Sequence, residues 1–572
     1  MATGDAPVEI PWPTSSFPGA DPQEGAGRLI NVYAEPLGST KPAQAGIPVK
    51  GDIVWRSGPG LSIHAITAQT GYRGGLIVAN LSYEVFAAQA LTADINGVVA
   101  LLGVLPGTRG VSIARNNAGS PNVIAVDIDN GAFRLDGGAV VAYNAAGILP
   151  QPKSVCFQDG YLIFGIADRR VFATDINALT MNALCFTTVQ AKSSDTLMRT
   201  IAFSGLLFVF CSSATEVWQD TAQPYPAFPY SRLVVMEFGL IQENAIAGFE
   251  DGFGVLHWVA QDYGVYQLVP GSLAPLKISP PDLDRLIETQ VKTGNKVDAG
   301  CYIVSGRKMF VLSSQAWSWE FNLSTQKWNE RQSLQPNGSF GRWRAARGHP
   351  AFGKWLCGDM LSGNLLYVDQ TNRTEVNNPL SCQLWSAPVE DFPNRMRIAR
   401  ADFEFTVGVG RNQRSLLMNV TGAVAGNLGI VRLGVNATSG VVTGDTVVVA
   451  GITGTVEANG NWTATVIDPT HLELQGCVFH NAYVSGGTVT DITPTPEMVD
   501  PQVGIEISTD GGANWSNPWV RALGKQGDTN HRISVKNCGM TGSTGVMWRW
   551  TISAQVFVSF MGAKQSTDMR KF

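Results

Sequence analysis

Lys153 to Asp175 reads KSVCFQDGYLIFGIADRRVFATD, two apolar runs flanking the dipeptide Asp159-Gly160. Asp-Gly between such runs supplies the positive backbone angles of a tight hairpin. The same strand, turn, strand design recurs as GGLIVANLSYEVFAA from Gly74, NVIAVDIDNGAFRLDGGAVVAY from Asn122 and TIAFSGLLFVFCSSATEVWQD from Thr200. It returns as GVLHWVAQDYGVYQLV from Gly254, GCYIVSGRKMFVLSSQAWSWEFN from Gly300 and KWLCGDMLSGNLLYVD from Lys354. The copies start roughly 30 to 55 residues apart, near the spacing of four-stranded propeller blades. Their apolar runs are nearly continuous, as expected of sheets covered on both faces by neighbours. The chain therefore reads as all-β, with a β-propeller of about six to seven blades over residues 70–379. The units at Lys153 and Lys354 are irregular, and circular closure is open to a strand borrowed from either terminus.

Outward from the repeats, residues 1–69 are rich in Pro and Gly and read as an extended arm or wrapping segment. A compositional break falls near Leu417, after which Lys and Arg almost vanish and Gly, Thr and Val dominate. Residues 419–495 read as an inserted small β-sandwich or barrel. Residues 380–418 plus 496–572 then form one interrupted, sandwich-like C-terminal β-domain. A single helix is expected after Ser279, with Ser279 as cap, Pro280 at the first position and Asp282 and Asp284 in the first turn. Leu283, Leu286 and Ile287 give it an apolar stripe before Gly294 stops it. It reads as a structural plug or a packing helix between blades.

The 572 residues carry a net charge of −5 and only 15% charged residues, so no strongly basic, phosphate-gripping surface marks the whole chain. The eight Cys are scattered, form no C-x-x-C pair and read as buried reduced thiols. No apolar stretch reaches the about 18 to 20 residues of a membrane span, and no signal peptide is recognisable. Synthesis in a reducing cytoplasm is expected. The six His show no metal-ligand spacing, and no phosphate loop or nucleophile elbow occurs. No metal, cofactor or catalytic residue is expected, and acidic pairs such as Asp127 and Asp129, or Glu390 and Asp391, read as solvated turn residues.

Three features invite partners. Arg342, Arg344 and Arg347 form one basic cluster and Arg395, Arg397 and Arg400 another. Alternate spacing places Arg342 with Arg344, and Arg395 with Arg397, on one strand face. Such faces suit a partner's carboxylates or DNA phosphate, or else intramolecular pairing. The stretch TAQPYPAFPYSR, with Pro224, Tyr225, Phe228 and Tyr230, reads as a loop covered by another surface such as a neighbouring subunit. Ser508, Asp510, Gly512 and Trp515 match the Asp box of sialidase-like propellers, a structural turn with an aromatic anchor.

Taken in order, GRLINVYAEP (Gly27 to Pro36), RSGPGL (Arg56 to Leu61), SSATEVWQDT (Ser212 to Thr221), FGLIQENAIAGFEDGFGVLHWVAQDYGVYQL (Phe238 to Leu268), IEISTDGGANWSNPWVRALGKQGD (Ile505 to Asp528) and FVSFMGA (Phe557 to Ala563) resemble the packaged-DNA stabilisation proteins of short-tailed bacteriophages, the tail hub or nozzle proteins. The insert, through TGDTVVVAGITGTVEANGNWTATVIDPTHLELQG (Thr443 to Gly476), resembles small β-domains of phage structural proteins. The resemblance implies a virion tail protein, a ring of six copies below the head-to-tail adaptor, that continues the DNA channel and holds the genome until ejection. Its implied partners are copies of itself, the adaptor, tail spike, fibre or needle proteins, and double-stranded DNA in transient non-specific contact, with no membrane insertion of its own. Two competing readings are a carbohydrate-binding or sialidase-like propeller for host adsorption, motivated by the Asp box and 15 Trp, and a cytoplasmic propeller scaffold.

Overall fold

The computed structural model describes residues 6–570 except 22–23, 37–52, 68, 193, 224–225, 377, 391–394, 408–415, 439, 494–500, 525–530 and 542–543. Seven four-stranded antiparallel sheets follow one another along the chain, each inner strand neighbouring the inner strands of adjacent sheets until the ring closes. They are the blades of a propeller, and each of the seven repeats lies in its own blade. Blade 1 begins with Tyr72–Val78, blade 2 with Val111–Arg115, blade 3 with Pro152–Gln158 and blade 4 with Leu197–Phe203. Blades 5, 6 and 7 begin with Ile246–Ala247, Asp298–Val304 and Ala345–Ala351.

The first hairpins have the backbone that their turn residues dictate. Asp159 and Gly160 have φ of 51° and 94°, Ser204 and Gly205 52° and 76°, and Ser305 and Gly306 49° and 77°. Two successive positive φ values match the twist of the flanking strands. Between blades the cores are dry. Trp258 of blade 5 meets Phe210 of blade 4 edge-on at 5.5 Å, and both are fully buried. His257 stacks on Phe310 of blade 6 at 4.7 Å.

Closure comes from the N-terminal side. Gly60–Ile66 pairs with Asn364–Asp369 as the fourth strand of blade 7, so the ring is fastened by a strand from outside the repeats. The expected boundary at residue 70 therefore moves ahead of Gly60. The rest of the described N-terminal segment is not a separate arm. Ala6–Glu9, Val32–Pro36 and Ile53–Ser57 join a sheet with Arg395–Val407, His531–Met540 and Val558–Arg570. Arg28–Ile30 joins the second sheet, with Cys382–Trp385, Gln502–Ser508, Trp519–Ala522 and Met547–Ile552. These two sheets bury one core containing Phe403, Phe405, Trp548, Trp550 and Phe560 and form a sandwich.

Sandwich and propeller share a continuous sheet. Ile30 pairs in parallel with Glu330 on the outer strand of blade 6, and Arg28 holds the Glu330 carboxylate with two nitrogens at 2.9 and 2.5 Å. Asn31 sits beside this seam, fully buried, at φ 55°. Its amide nitrogen donates to the carbonyls of Gln332 (2.9 Å) and Ser381 (2.8 Å), and its side-chain oxygen accepts the Gln332 N–H (3.1 Å). Asn tolerates the left-handed region better than other residues with a Cβ.

The insert closes on itself as a six-stranded barrel running from Leu416–Ala425 to Thr488–Asp491, with its own core of Val431, Leu433, Leu472 and Leu474. The helix spans Pro281–Lys292 between blades 5 and 6 and buries Leu283 and Ile287. Its cap differs from expectation by one residue. Pro280 is the cap and offers no side-chain bond, while the Ser279 hydroxyl accepts the Val265 N–H (2.9 Å) and donates to Asp284 (2.5 Å). All eight cysteines are free and buried.

Candidate functional site at the propeller axis and sandwich face

Inner strands of a propeller converge on a central tunnel, and here one end of that tunnel is bridged by an ion pair. Arg109, on the loop entering blade 2, reaches Glu243, on the loop entering blade 5, at 3.1 and 3.0 Å. These loops lie three blades apart in a ring of seven, so the pair bridges the mouth. Around it, Arg73 of blade 1 is enclosed by the carbonyls of Ala87, Leu105, Pro106 and Arg109 and pairs with Asp127 of blade 2 at 2.6 Å. Both partners are essentially solvent-free, which corrects the reading of Asp127 as a solvated turn carboxylate. Asp129 does remain half-exposed, on Arg109 at 3.2 Å.

Above this bridge lies a cavity of about 360 Å³ lined by inner strands of blades 1 to 7, including Ser112, Cys156, Arg199, Ile246, Ala299 and Arg347. A DNA duplex, whose major groove alone is about 12 Å wide, does not fit. The axis of one propeller is not a DNA conduit.

The expected basic clusters divide. Arg344 is buried and forks onto Asp359 at 3.1 and 2.5 Å, with a further bond to the Glu375 carbonyl at 3.1 Å. It is unavailable to a partner. Nor does it share a strand face with Arg342, which ends the separate strand Phe340–Arg342 at the rim of a small cavity beside Asp298 and Arg347. Arg347 lies in a β-bulge between Ala346 and Gly348 and turns to the axis, onto Asp298 (2.9 Å) and the Arg73 carbonyl (2.6 Å).

Arg395, Arg397 and Arg400, by contrast, are all exposed on one face of the sandwich. A bulge between Ile398 and Arg400 returns Arg400 to the face of the other two. Register adds cations that spacing along one strand did not reveal: Lys536 lies opposite Arg400, Arg532 opposite Glu404 and Lys564 opposite Asp402. Arg400 bonds Asp402 (2.7 Å) and Ser534 (2.9 Å). The result is a mainly basic sheet face diluted by Asp402 and Glu404, with Asp568 opposite Arg397 in register.

Phe228 and Tyr230 are corrected as subunit contacts. Both are buried against Trp218 and Cys185 between blades 3 and 4, and the Tyr230 hydroxyl donates to Asp159 at 3.1 Å. Pro224 and Tyr225 lie outside the described residues. The Asp-box stretch forms a hydrogen-bonded turn in the sandwich. Asp510 accepts the Ser508 hydroxyl (2.7 Å) and the Asn514 N–H (2.9 Å), and Ser508 accepts the Gly512 N–H (2.8 Å). These bonds hold the Asp510 carboxyl down to about 2. Trp515 packs edge-on against Trp385 at 5.0 Å beneath the Arg549 guanidinium.

Sequence reading missed a buried Ser, His and Glu group between blades 7 and 1. His349 Nε2 lies 2.9 Å from the Ser82 hydroxyl and 3.2 Å from Glu84, while the Tyr72 hydroxyl donates to Glu84 at 2.9 Å. Serine and glutamate share one imidazole nitrogen, whereas a hydrolytic triad puts them on opposite nitrogens. All four residues are buried, and the group clips two blades together. Among the described residues no cluster of three or more His, Cys, Asp or Glu has metal-holding geometry.

One edge is unusually apolar. The outermost strand of blade 1, Val99–Val104, exposes Leu101 and Val104 by 61% and 66%, beside similarly exposed Val98, Ile95 and Ile66. A free edge strand with such side chains is a ready template for association.

Seven blades closed by an N-terminal strand define the chain as a β-propeller protein. The family model described as bacteriophage P22 Gp10, beta-propeller, matches residues 45–373, which include every blade and the closing strand. The chain belongs to this phage stabilisation family and is a phage structural protein. No curated protein matches it. Many solved structures are similar. The WD40 beta propeller domain of Doa1 is 10% identical over 54% of this chain and 96% of its own, with TM-score 0.34. The computationally designed Ika8 protein is 11% identical over 54% of this chain and 100% of its own, with TM-score 0.33.

Proposed function

We propose that this chain is a tail component of a short-tailed phage that forms a ring of six copies below the head-to-tail adaptor. It continues the DNA channel, retains the packaged genome and lets it pass at ejection. The observation that carries this reading is the family match across the whole propeller. The narrow axis supports it in a specific way, because DNA then runs through the centre of the ring of subunits and not through any one propeller.

A channel that must release DNA needs few strong phosphate contacts, since each adds affinity and salt dependence. The net charge of −5 suits that, and the basic sandwich face, interrupted by Asp402 and Glu404, offers weak non-specific contact. The apolar edge of blade 1 suits a contact between neighbouring copies, since a closed ring uses heterologous surfaces. The adsorption reading loses one of its two motives, the Trp residues, while the Asp-box turn stands as a structural turn. None of the 15 Trp is exposed, nine being buried and the rest partly buried, so they form no open stacking platform for sugars.

Mass photometry of the purified chain, alone and mixed with the adaptor ring, tests the assembly. A complex carrying six added copies is expected. A monomer that ignores the adaptor counts against the reading and sends the protein to glycan arrays.

A further inference from the structure

A strand at the edge of a sheet leaves backbone N–H and C=O groups unpaired, and proteins guard such edges by keeping them short, charged or covered. Most blades follow that rule. The outer strands of blades 2, 3 and 5, Val141–Tyr143, Phe186–Thr188 and Leu276–Lys277, have three, three and two residues. Blade 6 ends in Lys327–Leu334, which is covered by Arg28–Ile30 of the sandwich and by Phe340–Arg342. The Gly60–Ile66 strand of blade 7 is overlain at Leu61 by Thr374–Glu375, and its His64 ring lies 3.0 Å from the Asp94 carbonyl in the blade 1 turn. Among the described residues, two blades end in a long uncovered strand. They are blade 1, with the six residues Val99–Val104, and blade 4, with the seven residues Tyr230–Met236.

The blade 1 edge has no charged guard, since Ile95 to Gly107 contains no Asp, Glu, Lys or Arg. Ile66, Ile95, Val98, Leu101 and Val104 stand more than half exposed along it, and equally exposed Val141 of blade 2 follows the Val140 that flanks Gly103. Such a belt amounts to on the order of 500 Å², the upper range for a monomeric protein. A stable contact buries about 800 Å² per partner, so a second strand laid along this edge brings the total near that size. The blade 4 edge matches it in length and presents Leu233, Val234 and Val235. Its one charge, Arg232, is paired with Glu216 of the same blade at 3.5 Å, and Tyr230 and Met236 stay buried at its ends. Blades 1 and 4 lie three blades apart in a ring of seven, so the two edges face nearly opposite directions. We propose that copies of this chain join edge to edge, the outer strand of blade 1 in one copy pairing with the outer strand of blade 4 in the next. The contact joins two different surfaces, so it is heterologous and repeats from copy to copy. It rests on the ring reading above and names the two surfaces that build the ring.

Sedimentation velocity of the full chain mixed with the adaptor ring tests it. One variant carries Leu101→Lys with Val104→Lys on the blade 1 edge, and a second carries Leu233→Lys with Val235→Lys on the blade 4 edge. Each is expected to need about tenfold more protein or higher to assemble, because the contact then buries charges without partners. A parent that forms the ring while either variant assembles as the parent does overturns the edge contact and leaves the ring reading standing. A parent that stays monomeric with the adaptor overturns both. If a variant fails to fold, hydrogen exchange of the unaltered protein decides. The outward backbone amides of Val99–Val104 and Tyr230–Met236 are expected to exchange about tenfold more slowly, or slower still, in the ring than in the monomer. Unchanged exchange at either strand overturns the contact.

Discussion

Arg109 and Glu243 lie 134 residues apart in the chain and meet across the propeller axis at 3.1 and 3.0 Å. Their pairing bridges one mouth of the tunnel. Because both side chains are roughly a fifth to a third exposed, the pair contributes only about 0.5 to 1 kcal/mol to stability. Arg109→Glu alone is expected to lower stability by at least that amount in denaturant titration, because it sets a carboxylate beside Glu243 and Asp129. Arg109→Glu with Glu243→Arg is expected to regain most of it, and a double-mutant cycle without coupling contradicts the bridge.

Asn31 joins propeller to sandwich by three side-chain hydrogen bonds from a left-handed backbone. Asn31→Ala strands buried carbonyl and N–H groups and adds backbone strain, so a loss of about 3 kcal/mol or more is expected. Asn31→Gly loses the bonds but not the φ compatibility and is expected to be milder by about 1 kcal/mol. Equal losses in calorimetric unfolding contradict the backbone part of this explanation.

His257 is fully buried, stacked on Phe310, and burial holds its imidazole down to about 3. Below about pH 6.5 the unfolded chain takes up a proton that the folded chain refuses. Stability therefore falls as pH drops from about 6.5 toward 3, by about 1.4 kcal/mol per pH unit from this residue. His257→Phe is expected to flatten that part of the pH profile. Identical slopes for parent and variant between pH 6 and 4 contradict it.

How much of this was legible along the chain follows from how local each determinant is. Hairpins such as Asp159-Gly160 announce themselves because both turn residues are adjacent, and each of the seven repeats lies in its own blade. The closing strand Gly60–Ile66 was hidden, since its partner lies some 300 residues away and short strands carry little periodicity. Arg344 looked like a surface cation only while Asp359 was unseen, and Phe228 looked like an interface residue only while Trp218 was unseen. The basic sandwich face was half legible. Alternation placed Arg395 with Arg397, but the bulge that adds Arg400 and the cross-strand Lys536 needed the register.

The proposed role is to keep packaged DNA inside the particle. The direct measurement is the DNA content of phage particles assembled without it, before and after purified chain is added back. Heads are expected to fill and then lose their genome, with retention restored by the added protein. Particles that keep full DNA content and infectivity without the chain would contradict it.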